Sequence, residues 1–245
     1  MKLSSLAFII PSYNESQNIF LLLNKISSLY PDSQIIIIDD SIPNEKRKIK
    51  KLLTRFPKKK NITYLPREKK MGRGNAVLTG FKLALKNKNI KYMFEIDADL
   101  SHDPEEAKRF ISNIKNNNYD LIIGSRYLKE SKIIKWVRWR IIMSKIINKF
   151  LNILLDLNLS DYTNGYRLYN RKAVEFLCRI DLESDGFILL SETAYKLNKN
   201  GFKISEVPTT FVERKFGKST VGNRELVSSL VGILLIRFRE MKKNK

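Results

Sequence analysis

Short apolar runs alternate with longer segments of helical periodicity through the first half of the chain. The apolar runs predict five strands, at residues 6–10, 35–38, 62–65, 92–96 and 121–123. Apolar residues at helical spacing predict helices between them, at 19–29, up to 53, at 76–85 and at 105–116. The four isoleucines at 35–38 are typical of a strand that is buried on both faces of a parallel sheet. The alternation therefore predicts an α/β fold, with a doubly wound, mostly parallel sheet flanked by helices.

The second half of the chain has a different pattern. Residues 136–159 predict a long amphipathic helix. Its apolar face would carry Trp139, Ile142, Met143, Ile146, Ile147, Phe150, Ile153, Leu154 and Leu157. Its polar face would carry Arg138, Lys145, Lys149, Asn152 and Asp156. Such a helix either lies at a membrane interface or packs on the core. The remaining predicted elements are a polar loop at 160–169, helices at 171–177 and 187–198, a strand at 202–208, a basic loop at 211–220 and an apolar helix at 226–238.

Polar residues cluster where the predicted strands end. They lie at 13–15, at Asp39 and Asp40, at Asp97 and Asp99, and at 125–126. Ligands of open parallel sheets bind at these carboxyl ends. Asp97 and Asp99 offer oxygen ligands that suit Mg²⁺ or Mn²⁺, with a nucleotide diphosphate completing the coordination. The alternative is a polar turn in which Asp99 or Ser101 caps the helix that begins near Pro104.

The composition narrows the choice of partner and compartment. With 46 Lys and Arg against 25 Asp and Glu, the net charge of +21 favours nucleic acid, nucleotide phosphates or an anionic membrane, although a general lysine bias is an alternative. The single Cys178 excludes an internal disulfide and fits a reducing compartment, and the single His102 excludes a histidine cluster. No stretch reaches the ~20 apolar residues of a membrane span, and the first apolar run is too short for a signal peptide. We therefore expect a cytoplasmic protein.

Seven motifs in a fixed order then point to a family. They are PSYNE (11–15), IIIIDD (35–40), PREKKMGRG (66–74), IDADLSHDP (96–104), GSRY (124–127), SDYTNGYRLY (160–169) and EVPTTFVERKFGKS (206–219). With them, the chain resembles the inverting GT-A glycosyltransferases of family 2. Within that family it most resembles the dolichol-phosphate mannosyltransferases without membrane spans. Two segments depart from the family pattern, the turn at 41–44 and the tripeptide at 163–165.

The resemblance implies a single glycosyltransferase domain over residues 1–245. Residues 1–127 would form the nucleotide-sugar-binding half, and 128–245 the half that faces acceptor and membrane. The implied nucleotide-sugar site comprises Pro11, Tyr13, Asn14, Glu15, Asp39, Asp40, Gly72, Asp97, Ala98, Asp99, Arg126, Arg214 and Lys218. Asp97 and Asp99, helped by Ser101 through water, would hold Mg²⁺ or Mn²⁺. The implied catalytic residues are Asp97, Asp99, Arg126 and Arg214, the two arginines gripping phosphates, and His102 would only support the site.

The implied reaction moves a hexose, foremost mannose from GDP-mannose, onto a polyprenyl or dolichyl phosphate with inversion. The acceptor oxygen is already ionised, so no strong general base is needed. The helix at 136–159 would lie on the cytoplasmic face of a membrane, with 226–238 beside it or docking a membrane-spanning protein partner. No nucleic-acid partner is expected. One alternative is a glycosyltransferase with another donor, such as UDP-glucose, or with a non-lipid acceptor. A second is a nucleotidyltransferase, which would need a glycine-rich N-terminal signature. A third is a non-enzymatic binder of membrane or nucleic acid.

Overall fold

The structure is a computed structural model that describes residues 3–57, 59–182 and 188–214. Within these residues the strands are β1 (Leu6–Ser12), β2 (Gln34–Asp39), β3 (Ile62–Pro66), β4 (Tyr92–Glu95), β5 (Leu121–Ser125), β6 (Lys132–Ile134), β7 (Arg167–Asn170), β8 (Ile204–Pro208) and β9 (Thr210–Val212). The α-helices are α1 (Ser16–Leu29), α2 (Pro43–Thr54), α3 (Arg73–Leu85), α4 (Ala107–Asn116), α5 (Arg138–Leu155), α6 (Arg171–Leu177) and α7 (Ile188–Lys199). Short 3₁₀ helices lie at Leu3–Ser5, Lys59–Asn61 and Pro104–Glu106.

Seven strands form one sheet in the order β3-β2-β1-β4-β7-β5-β8. Every neighbouring pair is parallel except those of β7, which runs antiparallel to both β4 and β5. The mostly parallel α/β sheet that the sequence predicts is therefore confirmed. The strands β6 and β9 pair with each other in a separate two-stranded sheet.

The core lies on both faces of this sheet because side chains alternate along each strand. All seven residues of β1 are buried. Ala7 and Ile9 pack on the side of α3 and α6, whereas Phe8 and Ile10 pack on the side of α1 and α4. Burying one large aliphatic side chain contributes about 1.5–3 kcal/mol. The carboxyl ends of β1, β2 and β4 are thereby held side by side at one edge.

One local expectation is wrong, and so is the alternative interpretation of the segment after β4. The polar loop predicted at 160–169 ends in β7, a central strand, because Arg167 is fully buried and donates to the backbone oxygens of Tyr162, Asn164 and Leu190. Neither Asp99 nor Ser101 caps the segment after β4. That role belongs to Asp103, whose side chain accepts from the backbone N–H of Glu105. The helical turn that begins at Pro104 is thus capped by Asp103, and not by Asp99 or Ser101.

Helix α5 turns much of its apolar stripe outward. Trp139, Ile142, Met143, Ile146, Phe150 and Ile153 are each exposed. The side of the helix that faces the protein is marked by Asn148, Leu151 and Leu155, which are buried. No helix in the described part of the chain is long and apolar enough to cross a bilayer. The helix predicted at 226–238, Lys218 and the loop from 215 onward lie outside the described residues.

Candidate active site

Two carboxylates lie just beyond β4, where the carboxyl ends of the central strands meet. The backbone N–H of Ile96 donates to the carbonyl of Ile9 at 3.1 Å, which keeps the chain beside β1 as it leaves the sheet. Asp97 and Asp99 follow directly. The side chain of Asp97 is 26% exposed and that of Asp99 is 10% exposed. The acidic pair therefore occupies the position that the sequence predicts.

Asp97 is held from behind by Arg73, the first residue of α3. The Arg73 Nε atom lies 2.9 Å from Oδ1 of Asp97, and Nη1 lies 2.5 Å from Oε1 of Glu95. Tyr169 donates its hydroxyl to the other Glu95 oxygen at 2.9 Å. Burial by itself would raise the pKa of Asp97, but Arg73, together with smaller contributions from His102 and Arg214, lowers it below its ordinary value. Asp97 is thus kept ionised and fixed in orientation.

Gly165 leaves the room that this arrangement needs. A Cβ atom at position 165 would overlap Nη2 of Arg73 and would lie 3.0 Å from Oδ2 of Asp97. A side chain at this position would therefore displace the Arg73 guanidinium from its present contact with Asp97.

Asp99 has a different environment. Its Oδ1 accepts from the backbone N–H of Ser101 at 3.0 Å, and its Oδ2 lies 3.0 Å from Nη2 of Arg214. Burial, and next the charge of Asp97, raise the pKa of Asp99. Arg214 also lies 3.5 Å from Oε1 of Glu15, whose pKa burial raises to about 7. The carboxyl groups of Glu15, Asp97 and Asp99 therefore lie close together, and their mutual repulsion favours a cation beside them.

The two aspartates could hold a divalent ion. No group of three His, Cys, Asp or Glu side chains in the described residues could hold a metal by itself. Mg²⁺ is commonly bound by one or two carboxylates and completes its shell with water and substrate phosphates, so two carboxylates are enough. A cation between them would relieve the repulsion that raises the pKa of Asp99. The donor set fits the ion that the sequence predicts.

Asp39 and Asp40, at the end of β2, are both engaged with protein groups. Asp39 accepts from the backbone N–H and the hydroxyl of Ser41, and from the Tyr64 hydroxyl at 2.7 Å. Asp40 receives two bonds of 2.6 Å from the guanidinium of Arg67. These bonds tie the loop before α3 to the turn at 41–44. The pair shapes the wall of the site rather than presenting bare carboxylates.

The other predicted nucleotide-sugar residues surround the same edge. Asn14, at φ +60°, receives a bond from the backbone N–H of Ile42 and donates its own N–H to Ser41 at 2.7 Å. The Tyr13 ring lies under Nζ of Lys70, 4.1 Å from its centroid. Pro11 is buried in β1, and Ala98 is buried between the aspartates. Gly72 precedes α3 at a φ of +86°, which favours glycine.

Arg126 follows β5 and is bound by Asp161. Its Nε and Nη2 atoms lie 2.7 and 2.8 Å from the two Asp161 oxygens, and Nη2 also donates to Thr163 at 2.7 Å. The rings of Trp136 and Phe211 lie 5.4 and 5.6 Å from the guanidinium carbon. The predicted phosphate-gripping arginine is therefore also a buried structural residue.

His102 is buried beside the acidic pair. Its ring lies 5.1 Å from that of Tyr166 and 5.4 Å from that of Phe211. Burial lowers its pKa to about 4, so the imidazole is neutral near pH 7. The supporting role expected for His102 stays a prediction. Sequence reasoning missed Arg73 and Asp161, although Arg73 lies inside the quoted PREKKMGRG motif.

Comparison with known proteins identifies the family over most of the chain. The family model for glycosyl transferase family 2 matches residues 7–177. A polyprenol monophosphomannose synthase of Mycolicibacterium smegmatis is 32% identical over 219 residues, which cover 89% of this chain and 81% of that protein. An undecaprenyl-phosphate mannosyltransferase of Micrococcus luteus is 31% identical over 225 residues, which cover 92% of this chain and 90% of that protein.

Solved structures agree on the fold. A glucosyl-3-phosphoglycerate synthase of Mycobacterium tuberculosis, in complex with Mn²⁺, UDP and phosphoglyceric acid, has a TM-score of 0.67 at 15% identity. The similarity covers 95% of this chain and 78% of that one. The same enzyme with Mn²⁺ and UDP-glucose gives a TM-score of 0.64 at 16% identity, over 95% of this chain and 78% of the other. The GT-A fold expected from the resemblance is thereby confirmed.

Proposed function

We propose that this chain, which belongs to glycosyl transferase family 2, moves a hexose from a nucleotide sugar onto a polyprenyl phosphate. Family membership makes the chain a glycosyltransferase. The names of both relatives specify mannose and a polyprenol acceptor, and this supports the same acceptor class here. The observation that carries the proposal is the acidic pair Asp97 and Asp99 at the edge where the central strands end.

The cation that the pair would hold is Mg²⁺ or Mn²⁺, and when bound it neutralises charge on the leaving nucleotide diphosphate. Asp97 presents a carboxylate that Arg73 keeps ionised, and Asp99 is oriented by the backbone N–H of Ser101. The solved neighbours with Mn²⁺ support a divalent ion. Ser101 would act only through this orientation or through water.

The acceptor needs little acid–base help from the protein. A phosphate monoester oxygen is ionised near neutral pH, so it can attack the anomeric carbon without a general base. The bond from that carbon to the nucleotide diphosphate then breaks, and the configuration inverts. The protein must align the two reactants and exclude water. Burial lowers the pKa of His102 to about 4, which makes its imidazole a weak base and fits a site in which no histidine moves a proton.

GDP-mannose is the donor that we propose, and UDP-glucose is the alternative. Mannose follows from the names of the two relatives. The UDP-bound neighbours are only 15–16% identical and support the fold, not the nucleobase. The base would contact the wall built by Tyr13, Asn14 and the turn at 41–44, which Asp39 and Asp40 hold in place. Glu15 and Gly72 lie on the same wall, and Arg126 and Arg214 would bind the phosphates.

Helix α5 would place the enzyme on a membrane surface, where its lipid acceptor is. Ile142, Ile146 and Ile153 are 58%, 55% and 75% exposed. Exposed basic side chains, Arg138, Lys145 and Lys149, lie on the same helix. An apolar stripe flanked by cations binds anionic lipid surfaces reversibly. We propose peripheral binding to the cytoplasmic face, with or without a membrane-spanning protein partner.

A transfer assay tests the proposal. Purified protein is incubated with a short polyprenyl phosphate, Mn²⁺ or Mg²⁺ and a panel of labelled nucleotide sugars, and the label in the organic phase is measured. We expect transfer from GDP-mannose above all other donors. Transfer from UDP-glucose instead would reassign the donor. Binding of nucleotide sugars with no transfer from any of them would indicate another acceptor or a missing membrane-spanning partner, and absence of nucleotide-sugar binding would contradict the whole proposal.

A further inference from the structure

We propose that Arg214 is a built-in counter-cation of the acidic pair, which a divalent ion must displace from Asp99. Nη2 of Arg214 lies 3.0 Å from Oδ2 of Asp99, and Nη1 lies 3.5 Å from Oε1 of Glu15. The guanidinium thus bridges two carboxylates beside the position proposed for the ion. This inference rests on the proposed function, because it concerns the same metal ligand.

The two arginines of the site differ in how firmly they are held. Arg73 is 14% exposed, begins a helix and binds both Glu95 and Asp97 at 2.5–2.9 Å. Removing it would leave Glu95, which is 2% exposed, without its cation. Arg214 is 25% exposed and lies two residues beyond β9. Arg214 is therefore the arginine that an incoming cation can replace.

The electrostatics make the two cations exclude each other. Oδ1 of Asp99 accepts from the Ser101 N–H, and Oδ2 is the oxygen that contacts Arg214. A divalent ion bound through Oδ2 would lie close to the guanidinium, and like charges at that distance repel each other. The negative charge of Asp99 can therefore be compensated by Arg214 or by the ion, but the two cannot occupy Oδ2 at the same time.

This exclusion couples metal binding to donor binding. An ion that enters alone must move Arg214 away from Asp99 and Glu15. The guanidinium then loses its contacts with both carboxylates, which weakens binding of the ion. An ion that enters with a nucleotide diphosphate brings anionic oxygens that Arg214 can bind in a bidentate way. The free enzyme should bind the ion weakly, and the nucleotide should strengthen that binding. Replacing Arg214 should weaken this dependence.

The test is Mn²⁺ binding to the full chain without nucleotide, measured from the electron paramagnetic resonance signal of free Mn²⁺. Arg214→Gln is compared with the natural sequence and with Arg140→Gln. Arg140 is a matched control, because its guanidinium lies 2.9 Å from the carboxylate of Glu213, the residue before Arg214, and its replacement removes the same charge. We expect Arg214→Gln to bind Mn²⁺ about 10-fold more tightly, and Arg140→Gln to stay within about 2-fold.

The outcomes separate this inference from the proposed function. Equal or weaker Mn²⁺ binding by Arg214→Gln, with GDP-stimulated binding by the natural sequence, would overturn the counter-cation role and leave the metal site standing. A gain of equal size in Arg140→Gln would also overturn it, because the effect would then be one of net charge. No Mn²⁺ binding by any variant, with or without GDP, would overturn the inference and the metal dependence together. Circular dichroism and the thermal midpoint confirm that each variant is folded.

Discussion

Arg126 and Asp161 form a buried two-point ion pair, with Nε 2.7 Å from Oδ2 and Nη2 2.8 Å from Oδ1. The Asp161 carboxylate also accepts from the backbone N–H of Arg126 at 3.1 Å. The pair joins the end of β5 to the loop that carries Thr163 and Gly165 towards Arg73. The shape of the loop at 161–165, beside the acidic pair, therefore depends on this ion pair.

Asp161→Asn should destabilise the protein strongly. The side chains of Asp161 and Arg126 are 0% and 7% exposed, and the substitution leaves a buried guanidinium without its anion. Breaking such a pair on one side costs about 3–5 kcal/mol of unfolding free energy, measured by urea denaturation. Lys48→Gln is the control, because the Lys48 side chain is 55% exposed and the loss of its ion pair should cost about 0–1 kcal/mol. Similar losses in the two variants would contradict the structural role.

The same pair predicts how stability changes in acid. Burial alone would raise the pKa of Asp161, but the Arg126 guanidinium outweighs it and holds the pKa below the ordinary value of 3.8. A carboxylate with a lowered pKa stabilises the fold above its unfolded-state pKa, and this contribution is lost as pH falls through the folded-state pKa. The natural sequence should therefore lose unfolding free energy below about pH 4, and Asp161→Asn should lack that part of the loss. A difference between the two that is the same at every pH would contradict this origin.

Gly165→Ala should impair catalysis more than it impairs stability. The added methyl group overlaps Nη2 of Arg73 and pushes the guanidinium away from Asp97. Overpacking of this kind costs about 1–3 kcal/mol, and a misplaced metal ligand should lower kcat/KM by about 10–100-fold. Gly201→Ala is the control, because its Cβ meets nothing within 4 Å but its φ of +80° costs about 1–2 kcal/mol. Equal transfer rates in the two variants would argue against the role given to Gly165.

The exposed stripe of α5 should control membrane binding. Replacing Ile142, Ile146 and Ile153 together with serine removes apolar surface that the protein does not bury, so each change should alter unfolding free energy by less than about 0.5 kcal/mol. Flotation with vesicles containing an anionic lipid should show loss of binding. In the control variant, serine replaces Leu21 and Ile42, which are 47% and 50% exposed on other surfaces. This variant should bind the vesicles as the natural sequence does. Binding by the triple variant would place the membrane contact elsewhere.

The sequence predicts the part of the fold that local patterns encode. The apolar runs of β1 and β2 predict the sheet. The polar residues after β4 predict the edge of the sheet at which a ligand would bind. The periodicity of α5 also predicts a helix. It does not predict which side is buried, because Leu151 and Leu155 pack inward while Ile146 and Ile153, of similar hydrophobicity, face outward.

What the sequence does not show depends on contacts between distant residues. Strand β7 is central although it begins with Arg167, because three backbone carbonyls satisfy the buried guanidinium. Arg73 looks like one cation in a basic loop until Glu95 and Asp97 are brought to it. Likewise, Arg126 could be assigned to phosphate from its motif alone, and only the fold shows that Asp161 binds it.

The most direct test of the account is the metal dependence of sugar transfer at the acidic pair. Enzyme treated with EDTA is assayed with the best donor and a polyprenyl phosphate while Mn²⁺ is added back, for the natural sequence, Asp99→Asn and Asp103→Asn. Asp103 is the control because it lies on the same turn but pairs with Lys25. We predict that Mn²⁺ restores transfer in the natural sequence and in Asp103→Asn, and that Asp99→Asn is slower by about 100-fold or more. Transfer that survives EDTA, or Asp99→Asn that matches Asp103→Asn, would contradict the role given to the pair.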